Sequence, residues 1–264
     1  MISNTVVVLL RDMLPLFILI AYLSSIGVMQ SLDKKWLKLT LFAAVTSVVA
    51  FYFNFELIAE SFEGRGYEIV SSLILCLFFI CCASVSIFSG MLPSTYQKWL
   101  LAVGIVLLVT LKATEFMVYF GVFIQQSGDL ISICLGFLMG ISICISFHLL
   151  YRFFLTELIA HNKIKTVYML WFAFITGQIV QIPERLSQVD IIDLGKPLFN
   201  LSEFVRDSSE YGHVLNALLG YESSPTTTFI GAYLCSFFLL LVISGAAARN
   251  AGLPISQYFS GESK

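Results

Sequence analysis

Seven apolar runs, each as long as a helix that crosses a lipid bilayer, fill most of this sequence and narrow its possible folds more than any other feature. They lie at approximately 5–28, 37–59, 68–92, 99–123, 130–154, 166–183 and 227–248. A hydrocarbon core about 30 Å thick takes roughly 20 mostly apolar residues per helix, so each run is expected to span it. The expected fold is all-α: a polytopic integral membrane protein with seven transmembrane helices in a single transmembrane domain over residues 1–264, with the lipid bilayer as its principal partner. Composition agrees, since 58% of residues are hydrophobic and 12% charged, about half the charged fraction of a soluble domain. The first run has no basic start and no small-residue cleavage pattern, and it carries Arg11 and Asp12 inside it, so it is expected to be retained and not removed as a signal peptide.

The net charge of -2 conceals no basic patch, which gives nucleic-acid binding no support. The six cysteines, Cys76, Cys81, Cys82, Cys134, Cys144 and Cys235, fall inside the expected helices without a neighbouring histidine cluster. They read as small apolar residues, not as a disulfide framework or zinc site. His148, His161 and His213 are scattered, and no nucleophile and base pair, phosphate loop or histidine-rich metal signature is present, so no enzyme activity is expected.

Lysine and arginine collect in alternate loops, with Lys34, Lys35 and Lys38 in the first, Lys98 in the third, Arg152, Lys163 and Lys165 in the fifth, and Arg249 and Lys264 at the end. Cytoplasmic loops gather these residues, which places the N-terminus outside and the C-terminus in the cytoplasm of a cell (cytoplasmic, inner) membrane. The opposite loops include a long acidic segment at 184–226, carrying Glu184, Asp190, Asp193, Glu203, Asp207, Glu210 and Glu222. A connection of that length generally has structure or function of its own. Apolar residues over 201–219 suggest short amphipathic pieces at the membrane interface, ended by Gly220, with Pro225 just before the seventh span.

Ionisable side chains inside spans cost a few kcal/mol each on insertion scales, so each one asks for a partner or a task. Arg11, Asp12, Lys112 and Glu115 are the deepest. Lys112 and Glu115 are three apart on one helix face and are expected to pair, whereas Arg11 and Asp12 are adjacent and expected to point apart, at least one towards another helix. Two readings remain open: Asp12 and Glu115 are transient oxygen ligands for a hard metal cation passing along a path that includes Arg11 and Lys112, or the four residues are buried ion pairs that fix packing. Secondary candidates are Gln178, Gln181 and Glu184, which share one side of the sixth span near Pro183, and Glu68, which with Glu56 and Glu60 borders an external loop. His148 on an apolar face reads as a satisfied lone histidine, and the many phenylalanines read as packing and lipid-facing surface. Cation-then-acid echoes, Leu10-Arg11-Asp12 in span one and Leu111-Lys112 to Glu115 in span four, suggest an inverted repeat of spans 1–3 and 4–6 followed by a seventh span.

Leu10-Arg11-Asp12-Met13-Leu14-Pro15 and Lys112-Ala113-Thr114-Glu115-Phe116, together with Gly177-Gln178-Ile179-Val180-Gln181 and Asp207-Ser208-Ser209 through Gly212, Leu215, Gly220-Tyr221 and Pro225, resemble the ferroxidase-coupled high-affinity iron permeases of the iron/lead transporter family. That family carries an Arg-Glu-x-x-Glu motif in its first and fourth spans. In this chain Asp12 stands for the first glutamate, Pro15, Ala113 and Phe116 occupy the other motif carboxylate positions, and Lys112 replaces an arginine. The resemblance implies a metal-cation permease with an iron ion as substrate and no bound cofactor, fed by an external oxidase or iron-binding protein docking on 184–226. The rival expectation is a non-transporting accessory or scaffold subunit of an iron-uptake complex that keeps the permease fold.

Overall fold

The computed structural model describes residues 2–25, 34–87, 94–127 and 130–250. Among them the chain is helical apart from turns and one isolated antiparallel bridge, Pro197 with Thr226. The helices are α1 (Ile2–Ser25), α2 (Lys34–Phe53), α3 (Phe55–Gly64), α4 (Gly66–Ile87), α5 (Ser94–Ser127), α6 (Leu130–Ala160), α7 (Ile164–Ile179), α8 (Gln181–Gln188), α9 (Glu210–Leu219) and α10 (Thr227–Asn250). Among the described residues seven stretches are long and apolar enough to cross a membrane: Asn4–Ser25, Lys35–Phe53, Gly66–Ile87, Thr95–Val122, Ile131–Ala160, Ile164–Gln188 and Thr227–Ala247. The ends of the first and third expected runs, 26–28 and 88–92, lie outside the described residues, as do the side chains of Lys34 and Arg249 and the whole of Lys264.

Burial sorts the spans. α1 is the most enclosed: Leu9, Leu14, Ile18 and Tyr22 are buried in a core shared with Leu75 and Phe78 of α4, Leu108 and Leu111 of α5, and Phe172 and Phe174 of α7. α2 instead leaves Leu37, Leu41, Phe42, Val45 and Val49 uncovered, and α10 leaves Phe238, Leu239 and Val242, as helices facing hydrocarbon would. Several polar side chains that enter the core find partners, while the buried hydroxyls of Ser72, Thr114 and Thr176 have none among the described residues. The Tyr22 and Tyr151 hydroxyls are 2.6 Å apart, Trp171 Nε1 donates to Ser86 Oγ at 2.8 Å, and His148 Nδ1 sits 3.0 Å from the Phe17 carbonyl, as expected of a satisfied histidine.

Two expected spans are interrupted for local reasons. The second stops at Phe53, where the Asn54 amide takes the Ala50 carbonyl at 2.7 Å, a polar competitor for the helix ladder. The sixth breaks at Ile179 and Val180, one turn before Pro183. Proline has no N–H for the carbonyl four residues earlier, here Ile179, and its ring crowds that carbonyl. Pro183 therefore falls in the first turn of α8, where its missing donor costs nothing.

The segment between α8 and α10 is folded. Ser209 caps α9 by accepting the Gly212 N–H at 3.0 Å, and Gly220 ends it in the left-handed conformation at φ 70°. The expected interfacial pieces over 201–219 reduce to this one helix, and it packs against α1 and α7. A strap over 221–226 ties it down: Asp207 Oδ1 accepts the Ser223 N–H at 2.7 Å, Asp207 Oδ2 accepts the Ser223 hydroxyl, and Leu201 N donates to the Ser223 carbonyl at 2.7 Å.

Candidate functional site

The first half of α1, the second half of α5, the start of α4, and α8 and α9 border a partly open cavity of about 570 Å³ that is rich in charged side chains. α1 contributes Arg11 and Asp12, and α5 contributes Lys112, Glu115 and Tyr119. Tyr67 comes from α4, Gln181, Glu184 and Arg185 from α8, and His213 and Asn216 from α9, with Asp207 at the margin. The four deep charged residues picked out by sequence thus line one space.

Arg11 and Asp12 do not point apart. Arg11 Nε donates to Asp12 Oδ1 at 2.8 Å and Nη2 to Oδ2 at 3.2 Å, a forked pair between neighbours. The arginine side chain is long enough to fold back along the helix, which helix-face geometry at the Cβ does not anticipate. The pair is lopsided: Asp12 is 1% exposed, while about half of the Arg11 side chain is accessible and its guanidinium lies 5.9 Å from the centre of the Tyr119 ring. Pro15 follows at the position that would donate to the Arg11 carbonyl and has no N–H to give it.

Lys112 and Glu115 pair as expected, with Nζ to Oε2 at 3.3 Å. Glu115 has two further partners that the sequence did not announce. Arg185 Nη2 lies 2.6 Å from Oε1, and the Tyr67 hydroxyl donates to the same oxygen at 2.9 Å. Lys112 Nζ also donates to Gln181 Oε1 at 3.1 Å, which places α8 directly on the pair. Tyr67, Arg185, His213 and Asn216 are the residues sequence reasoning missed. Arg185 was the most accessible of these, being a cation one helical turn beyond Gln181.

The secondary candidates separate. Gln181 and Glu184 line the cavity, whereas Gln178 is fully buried one turn deeper with no acceptor for its Nε2. Glu68 lies outside the lining, where its neighbour Tyr67 takes the place, and Glu56 and Glu60 on α3 are exposed away from it. Among the described residues no group of three or more His, Cys, Asp or Glu side chains could hold a metal ion. Outside this lining, burial raises the Glu222 carboxyl to about 7, with Glu184 and Asp207 adding repulsion. Burial lowers the His213 imidazole, and the nearby Arg11 charge lowers it further.

No protein-family model, curated protein or solved structure matches this chain.

Proposed function

We propose that this chain is a permease of a cell membrane that passes a metal cation, iron on the strength of its motif resemblance, inward through the cavity between α1, α5, α8 and α9. The observation that carries the reading is that charge-bearing side chains from two separate spans, Arg11 with Asp12 and Lys112 with Glu115, converge on one cavity inside otherwise apolar helices. Charge at that depth costs several kcal/mol to maintain, which a transport task would justify. Hard cations take oxygen ligands, and Asp12, Glu115, Glu184 and Asp207 all line the space.

Packing supports an inverted repeat of spans 1–3 and 4–6. α1 packs on α6, the second span of the other half, as α5 packs on α2, and α1 and α5 meet each other. On this reading the site would lie where the two halves meet, as in many secondary transporters. The positive-inside pattern orients the segment at 184–226 outward, and Phe204 and Tyr211, both largely exposed there, fit a surface on which an oxidase or iron-binding protein docks.

A second reading, the accessory subunit that has lost its ion path, is favoured by the same geometry at closer range. Both Asp12 oxygens accept from Arg11, and Glu115 accepts from Lys112, Arg185 and Tyr67, so a cation would have to displace a bound partner. Uptake by vesicles containing only the purified chain, comparing iron, manganese and lead, separates the two. The permease reading expects iron entry that is lost in Arg11→Met/Asp12→Leu, a variant without an unpaired charge. Absence of metal entry in vesicles with correctly folded wild-type protein would leave the accessory role.

A further inference from the structure

The deep part of the cavity holds more positive than negative charge. Arg11 and Asp12 cancel, but Lys112 and Arg185 share the single carboxylate of Glu115, which leaves one cation without a counter-charge. Lys112 is 4% exposed and the Arg185 side chain 15%, so water offsets only part of the excess. The acids that could help sit at the mouth. Glu184 and Asp207 are exposed, Glu184 has no cation within ion-pair distance among the described residues, and both Asp207 oxygens are held by Ser223.

Donors are in surplus as well. Arg185 Nε is buried without an acceptor. Lys112 spends two of its three N–H groups, on Glu115 and Gln181. An unbalanced buried charge is far more costly than a balanced one, and a guanidinium beside an ammonium suits an oxyanion, whose several oxygens can accept from both.

We propose that the cavity binds a small oxyanion against Lys112 and Arg185, with Tyr67 and Gln181 bordering it. The anion neutralises the cluster and takes the idle donors of both cations. It enters past Glu184 and Asp207, so the mouth disfavours free anions and the interior holds those that pass. The binding stands whether or not a cation crosses the membrane, because it follows from the charge count at Glu115 and not from the transport reading.

The test is a thermal-unfolding titration of the full chain in phosphatidylcholine nanodiscs, with inorganic phosphate and citrate as probes and ionic strength held constant with chloride. A ligand that binds only the folded state raises the unfolding temperature saturably. The wild type is expected to show that rise with at least one probe. Lys112→Met and Arg185→Gln each leave one cation facing one carboxylate, so both are expected to fold and to bind the probe at least tenfold more weakly. A parallel arm replaces a fraction of the lipid by phosphatidylglycerol. Stabilisation by that lipid alone, lost in the same two variants, would assign the oxyanion to a headgroup phosphate and not to a soluble ion. No stabilisation by either source, or variants that titrate like the wild type, would overturn the proposal. Failure of both variants to fold would overturn it too, because it would contradict the charge count.

Discussion

Arg185 on α8 reaches Glu115 on α5 at 2.6 Å, and this contact fastens the short helix after the Val180 break to the middle of the bundle. Lys112 and Tyr67 meet the same carboxylate, so Glu115 is the hub of a network joining α4, α5 and α8.

Replacing Glu115 by glutamine strands two buried cations at once. Removing one partner of a buried pair costs about 3–5 kcal/mol, and Glu115→Gln is expected at the upper end of that range. Adding Lys112→Met restores only part, because Arg185 remains uncompensated. The triple variant Lys112→Met/Glu115→Gln/Arg185→Gln removes all formal charge and is expected to recover most of the loss. Denaturant unfolding in detergent ranks the three. Equal stability of the double and triple variants would mean that Arg185 is not held by Glu115 in the folded protein.

Gly177 and Gly220 mark where α7 and the end of α9 touch backbone to backbone. A Cβ on Gly177 would lie 2.6 Å from the Gly220 nitrogen, and Gly220 itself has φ +70°. Alanine at 220 meets both a backbone clash and a left-handed conformation, which together cost about 1–3 kcal/mol or more. Gly220→Ala is expected to loosen α9, read as faster proteolytic cleavage within 198–226 with the spans still protected. Gly231→Ala is the control, since its Cβ would meet nothing within 4 Å.

The number of membrane-length apolar helices was legible because the length of an apolar run is read directly along the sequence. Lys112 with Glu115 was legible because a spacing of three fixes a shared face. The Arg11 and Asp12 pairing was not, since a long flexible side chain can return to its neighbour whatever the direction of its Cβ. Arg185, Tyr67 and His213 were hidden because they reach the cavity through tertiary packing of α8, α4 and α9, and no periodicity within one helix reports that. The break at Val180 is readable in retrospect from Pro183, whose ring and missing N–H act one turn upstream.

Glu222 supplies a pH dependence. Its carboxyl is raised from 4.5 to about 7 in the folded protein by burial and by Glu184 and Asp207. The folded state then binds more protons than the unfolded state between these values, so stability falls as pH rises from about 4.5 to 7 and levels off above. Glu222→Gln removes this contribution. The unfolding temperature of the variant should exceed that of the wild type at pH 8, and the gap should close as pH falls towards 4.5. A gap that stays constant would show that Glu222 titrates alike in both states.

The last prediction rests on the unequal burial of the Arg11 and Asp12 pair. Asp12 is enclosed at 1% exposure, while half of the Arg11 side chain can reach solvent within the cavity. Asp12→Asn therefore releases a guanidinium that can turn towards water, and the loss is limited to the charge-assisted hydrogen bonds, about 1.5–3 kcal/mol. Arg11→Met leaves a buried carboxylate with no donor from its own helix, and about 3–5 kcal/mol is expected. The paired replacement Arg11→Met/Asp12→Leu leaves neither charge behind and should lie nearer the wild type than Arg11→Met does. Unfolding of the three variants in one detergent gives the order. If Asp12→Asn is the most damaging, Asp12 must be answering a second cation in the folded protein, and Lys112, which lines the same cavity, is the residue to test next.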